Sequence, residues 1–149
     1  MDPRWEIPRN QVRVQEKLAE GFFGQVHKGS YNTKKCAVKS LKNNPSAKDY
    51  SDLFAEIQTL KQVCNPTHRN IINLIGVCTE QPGPVYVILE FAEHGNLRDF
   101  LRQYRNPNTD ESLPGLTRYN LLDFGLQVCK GMSYSGLKNF GLGPKFGNF

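Results

Sequence analysis

Along the chain, Val12-Arg13-Val14-Gln15-Glu16-Lys17-Leu18 alternates loosely between apolar and polar residues, the two-residue period of a strand exposed at an edge. A glycine-containing turn follows. Gln25-Val26-His27-Lys28-Gly29 and Lys35-Cys36-Ala37-Val38-Lys39-Ser40-Leu41 then read as two strands, with a turn at 31–34 between them. Asn43-Asn44-Pro45-Ser46 breaks the chain. Leu53, Ile57, Leu60 and Val63 fall on one stripe, which predicts a helix over about 51–63, stopped by Asn65-Pro66. Residues 70–78 and 85–92 are apolar runs of strand length. Gly95-Asn96 opens a second helix with Leu97, Phe100, Leu101 and Tyr104 on one face. A Pro- and Asn-rich loop covers 106–115, and a last helix covers about 117–134. Strands, one helix, strands and then helices predict an α+β fold with an antiparallel sheet, not a wound parallel one.

Composition narrows the class. The chain has 149 residues, 38% hydrophobic and 22% charged, the balance of a soluble globular domain. No apolar run is long enough to cross a bilayer, and Met1-Asp2-Pro3-Arg4-Trp5-Glu6 is polar where a signal peptide needs an apolar core. These features predict a cytoplasmic protein, or the cytoplasmic part of something longer. The four cysteines, at 36, 64, 78 and 129, form no C-x-x-C pair and no zinc pattern with the three histidines. Three of the four lie in apolar surroundings and read as buried free thiols. The net charge of +5 does not imply nucleic acid, because Arg9, Arg13, Lys17, Lys28, Lys34 and Lys35 alternate with apolar strand residues instead of clustering.

Two pairs of residues carry candidate chemistry. Gly21 and Gly24 stand three apart between two strands, where missing side chains let backbone approach a phosphate, although such a pair by itself is more often just a tight turn. Lys39 lies inside an apolar strand and needs a partner or an anion. Glu56 lies in the apolar stripe of the following helix, with Leu53, Ile57 and Leu60 on the same face. Each charge explains the other, so the two are expected to form an ion pair.

The glycine loop Leu18-Ala19-Glu20-Gly21-Phe22-Phe23-Gly24-Gln25-Val26, the strand Ala37-Val38-Lys39 and the helix Glu56 resemble the opening of the protein-kinase signature. Trp5-Glu6-Ile7-Pro8-Arg9 is similar to the lead-in of receptor tyrosine kinase domains. His68-Arg69-Asn70-Ile71-Ile72-Asn73-Leu74-Ile75-Gly76-Val77-Cys78-Thr79 is similar to their loop and strand after the helix. Tyr86-Val87-Ile88-Leu89-Glu90-Phe91-Ala92, followed by Gly95-Asn96-Leu97, is similar to their hinge. The set covers about residues 5–134 and resembles most fully the fibroblast growth factor receptor kinases and their relatives.

The resemblance implies a kinase small lobe: a five-stranded antiparallel sheet with one packed helix, followed by the first helices of the large lobe. It divides the chain into a lead-in at 1–11, the small lobe with ATP-binding loop and hinge at 12–92, large-lobe helices at 93–134 and an atypical tail at 135–149. It implies ATP as cofactor, with Mg2+ in a full-length domain, and protein tyrosine as substrate. By position, Leu18, Val26 and Ala37 would sandwich the adenine. Backbone amides from Gly21 through Phe23 to Gly24 would cover the phosphates, and Lys39, oriented by Glu56, would hold the α- and β-phosphates. Leu89 would be the gatekeeper, the Glu90 carbonyl and Ala92 amide would bond the adenine edge, and Asn96 would lie near the ribose. One position departs from the family: its first loop glycine is Ala19 here, and the methyl group stiffens the loop.

Catalysis in the family also needs H-R-D-L-x-x-x-N and D-F-G, which supply the base and the magnesium ligands. Asp123-Phe124-Gly125 has the letters of the second but sits in a helical pattern with Leu121, Phe124, Val128 and Met132 on one stripe, so it is expected to bind no metal. His68-Arg69-Asn70 lacks the aspartate and precedes the hinge. After Tyr134 the residues either have no family counterpart or resemble, at Leu137-Lys138-Asn139-Phe140-Gly141-Leu142, a shortened L-K-x-x-D-F-G-L region with Asn for Asp. On either reading the expectation is a chain inactive by itself as an enzyme, with a last helix exposing its apolar stripe to water or to another copy. The alternative is a non-catalytic module that binds nucleotide weakly or associates with partners.

Overall fold

The computed structural model describes residues 3–21, 24–80, 82–105 and 116–137. They fall into two compact units, Met1–Phe91 and Ala92–Phe149.

The first unit is a five-stranded antiparallel sheet with one helix. The strands are β1 (Val12–Gly21), β2 (Gly24–Tyr31), β3 (Lys34–Ser40), β4 (Leu74–Cys78) and β5 (Tyr86–Glu90), in the order β1-β2-β3-β5-β4. Helix α1 (Ala47–Val63) links β3 to β4. The sheet matches the expected fold class. β1 is an outer strand, exposed after Val12 on both faces, as its weak alternation implied. A two-residue turn joins β2 to β3, with Asn32 and Thr33 at φ 48° and 67°. Positive φ at both central residues is what a tight hairpin requires.

α1 begins four residues earlier than its apolar stripe predicts. Ser46 caps it: the Ser46 hydroxyl accepts the Asp49 amide at 3.2 Å, and the Asp49 carboxylate accepts the Ser46 amide at 2.7 Å. The reciprocal pair supports a polar first turn that periodicity does not mark. β4 starts at Leu74 and not at 70, since residues 71–73 make no ladder.

Strand alternation sorts the core into two clusters. On β5, Val87 and Leu89 join α1 residues Leu53, Ile57 and Leu60, while Tyr86 and Ile88 join Ile7, Cys36, Val38 and Cys78. β4 breaks strict alternation: Leu74 and Val77 share the α1 cluster although three apart. The register shift between Leu74 and Gly76 explains this, because one extra residue inverts which face follows. Cys36, Cys64 and Cys78 are buried and Cys129 is exposed, so three of the four thiols are buried as expected.

The lead-in is built into this unit. The Val77 amide donates to the Trp5 carbonyl at 2.8 Å and the Ile7 amide donates to the Val77 carbonyl at 2.7 Å, a parallel bridge on the free edge of β4. Ile7 is buried against Gly76, where a Cβ would collide with its side chain. The Glu6 carboxylate accepts the Thr79 amide at 2.5 Å and the Thr79 hydroxyl at 2.8 Å.

The second unit holds α2 (Leu97–Arg105) and α3 (Arg118–Leu137). The expected loop at 106–115 lies outside the described residues. In α2 the Phe100 and Tyr104 rings lie 4.8 Å apart, as their shared face predicts. α3 runs three residues past the expected end, with Ser135 buried and its hydroxyl donating to the Gly131 carbonyl at 3.0 Å. On the stripe, Leu121, Val128 and Met132 are exposed and Phe124 meets Phe100 edge-on. Leu122 and Leu126 are exposed as well, so exposed apolar side chains spread over about half of this helix's circumference.

Candidate functional site

Antiparallel pairing puts directly opposed residues on the same side of a sheet. Val26 opposes Lys39, Lys39 opposes Val87, and Ala37 opposes Leu89. Four residues singled out in the sequence, Val26, Ala37, Lys39 and Leu89, therefore share one face across three neighbouring strands. It is the face that α1 packs on, since Val87 and Leu89 belong to the α1 cluster.

Lys39 is buried at 8% exposure, and its Nζ donates to both Glu56 carboxylate oxygens at 2.7 Å. The two charges expected to pair do so. The lysine side chain is 10% exposed and the glutamate 37%, so one end is sheltered and the other wet. A cation held by a carboxylate at a solvent margin can also meet an incoming anion without breaking the pair.

The glycine hairpin lies at the free ends of β1 and β2, with Gly21 opposite Gly24. Gly24 has φ 145° and is buried, and a Cβ there would collide with the Ser40 carbonyl oxygen. Only glycine fits that approach. Gly21 has open space where a Cβ would be. Phe23 lies outside the described residues. Leu18 is exposed on β1 at a register shift between Lys17 and Ala19, and Ala19 opposes Val26.

At the far end, the Glu90 amide donates to the Asn73 carbonyl at 3.0 Å. Ala92 and Asn96 belong to the second unit. The Ala92 carbonyl accepts the Gly95 amide at 3.1 Å. The Asn96 side chain accepts the Asp99 amide at 2.9 Å and donates to the Asp99 carboxylate at 2.7 Å, so it caps α2. Asp123-Phe124-Gly125 lies inside α3, and the Asp123 carboxylate accepts the Gln127 side-chain amide at 2.6 Å.

The site fits a phosphate-bearing ligand at one end: a cradle that a Cβ would fill, beside a lysine preset by a carboxylate. Among the described residues no group of three or more His, Cys, Asp or Glu is placed to hold a metal ion. Sequence reasoning missed two contributors. One is the Ser40 carbonyl that seats Gly24, which no side-chain pattern encodes. The other is the Ser46–Asp49 cap of the helix carrying Glu56, which the spacing Ser46-Ala47-Lys48-Asp49 does signal.

A glycine hairpin, a strand lysine and a helix carboxylate on one small antiparallel sheet define the small lobe of a protein kinase. Residues 12–140 match the protein tyrosine and serine/threonine kinase family, and the chain belongs to it. Among curated proteins it is similar to fibroblast growth factor receptors. It is 40% identical to that of Halocynthia roretzi over 93% of this chain, 41% to that of Strongylocentrotus purpuratus over 93%, and 40% to fibroblast growth factor receptor 1 of Pleurodeles waltl over 92%. The chain spans 21%, 15% and 18% of those relatives' lengths. Kinases of this family use ATP and magnesium. No described helix is long and apolar enough to cross a membrane.

Proposed function

We propose that this chain is the ATP-binding portion of a receptor-type protein-tyrosine kinase, cytoplasmic in placement, which in the full domain transfers the ATP γ-phosphate to protein tyrosine. The observation that carries it is Lys39 Nζ at 2.7 Å from both Glu56 oxygens, on the face shared with Val26, Ala37 and Leu89. Residues 12–92 serve as the small lobe and 93–134 as the opening helices of the large one. Leu18, Val26 and Ala37 hold the adenine, with Leu89 as gatekeeper. The backbone of Gly21, Phe23 and Gly24 covers the phosphates. Lys39 binds the α- and β-phosphates, and Glu56 orients it. The Glu90 carbonyl and Ala92 amide bond the adenine edge and Asn96 lies near the ribose; for Phe23, Ala92 and Asn96 these roles rest on sequence resemblance alone.

Residues 1–149 contain no H-R-D-L-x-x-x-N, and their D-F-G letters lie within α3. The 149-residue polypeptide therefore transfers no phosphate by itself. A positioned base alone is worth about 10²–10⁴-fold, and the catalytic-loop motif that would also supply a magnesium-holding Asn does not occur in residues 1–149. The test has two arms. ATP titration followed by NMR should shift Gly24, Val26 and Lys39 amides, and Lys39→Met should abolish the shifts. Incubation with ATP, Mg2+ and a tyrosine peptide should give no phosphotyrosine above the Lys39→Met background. Shifts that survive Lys39→Met would remove the binding reading, and phosphotyrosine above background would remove the inactivity.

The exposed apolar surface of α3 favours a second reading, a non-catalytic module that associates with itself through that helix. Sedimentation should then show concentration-dependent dimers that Leu122→Glu abolishes.

A further inference from the structure

Glu20 stands one residue before Gly21 on β1. Its Oε2 accepts Lys17 Nζ at 2.7 Å, and its Oε1 lies 3.6 Å from Lys42 Nζ. β2 runs between β1 and β3 in the sheet, so this carboxylate reaches past β2 to the segment that follows β3. A separate contact reaches the same segment from the other strand of the hairpin: Gly24 closes on the Ser40 carbonyl. Both strands of the glycine hairpin thus end against residues 40–42, one through backbone and one through charge. That segment begins immediately after Lys39.

We propose that Glu20 is a positioning residue, whose carboxylate, held by Lys17 and Lys42, keeps the glycine hairpin at a fixed distance from Lys39 and so presets its backbone for the phosphates of a nucleotide. This deepens the ATP-binding reading and rests on it. Glu20 touches no reacting atom in this role. All three side chains are 43–50% exposed, so each pair is weak alone and the device depends on ionic strength. The hydrogen bond from Lys17, with the charge of Lys42 beside it, holds the Glu20 carboxyl below its usual range.

The sign of one substitution separates positioning from plain electrostatics. A carboxylate near a polyphosphate site repels the ligand, so by charge alone Glu20→Gln tightens ATP binding. If Glu20 positions the hairpin, the same change weakens it, by roughly twofold to fivefold for an exposed pair. Lys42→Gln should weaken binding comparably, and the double variant should lose no more than the worse single one, because both break one interaction. The experiment uses residues 1–149 with a fluorescent ATP analogue, alongside ¹⁵N relaxation of the Gly21, Gly24 and Gln25 amides without ligand. The expected result is weaker binding with lowered order at those amides in all three variants. Unchanged or tighter binding by Glu20→Gln, or strictly additive losses, would overturn the proposal. If the unaltered chain binds no nucleotide, the ATP reading fails and relaxation alone decides: lowered order keeps the hairpin-positioning role, and unchanged order removes it.

Discussion

At the residue scale, burial sets thiol chemistry. Burial raises Cys36 and Cys64 above their usual range and pushes Cys78 up to about 11, because a thiolate loses its hydration in an apolar core. At pH 8 a disulfide reagent should titrate Cys129 promptly and the other three only on unfolding. The unfolded Cys78 thiol ionises near 9.0 and the folded one about two units higher, so its contribution is complete below pH 9 and is lost as pH rises toward 11. Prompt modification of Cys78 in the native chain would contradict this. Thr33 is a second local case, a β-branched residue at φ 67°. Thr33→Gly should raise unfolding free energy by about 1 kcal/mol in urea titration, since glycine adopts that region without strain.

At the scale of elements, α1 matters most because it carries Glu56. Its N-terminus rests on Ser46 and Asp49, and hydrogen bonds from Ser46 hold the Asp49 carboxyl below its usual 3.8. A depressed folded value means that the cap is complete above about pH 4 and fades as pH falls through the folded value. Far-ultraviolet dichroism should show helix loss starting below pH 4. Ser46→Ala should cost about 1 kcal/mol and flatten that dependence. The Lys39–Glu56 pair joins α1 to β3. Its half-wet geometry places Glu56→Gln between the surface and buried limits, about 1–3 kcal/mol.

On the scale of the whole molecule, the lead-in closes the β4 edge and adds Ile7 to the second core cluster. Ile7→Ala should destabilise the chain by about 2–4 kcal/mol, measured by thermal unfolding. Gly76→Ala, whose new methyl meets the Ile7 side chain and the Trp5 carbonyl, should act on the same contact, and the double variant should fall short of the sum.

Local pattern was enough for the elements, the fold class and the charged pair. Period two and period three-to-four mark strands and helices without tertiary help, and a lysine in one apolar element with a carboxylate in another admits few solutions. The boundaries of α1 and β4 were less legible, because a polar capped turn and a β-bulge leave no hydrophobic signature. Three features were decided only by the folded chain. The first is the common face of Val26, Ala37, Lys39 and Leu89, which depends on strand register. The second is the seating of Gly24 on the Ser40 carbonyl, and the third the docking of the lead-in on β4. Each joins backbone groups far apart in the chain, and backbone is the same at every residue, so composition and spacing cannot record which two segments will meet.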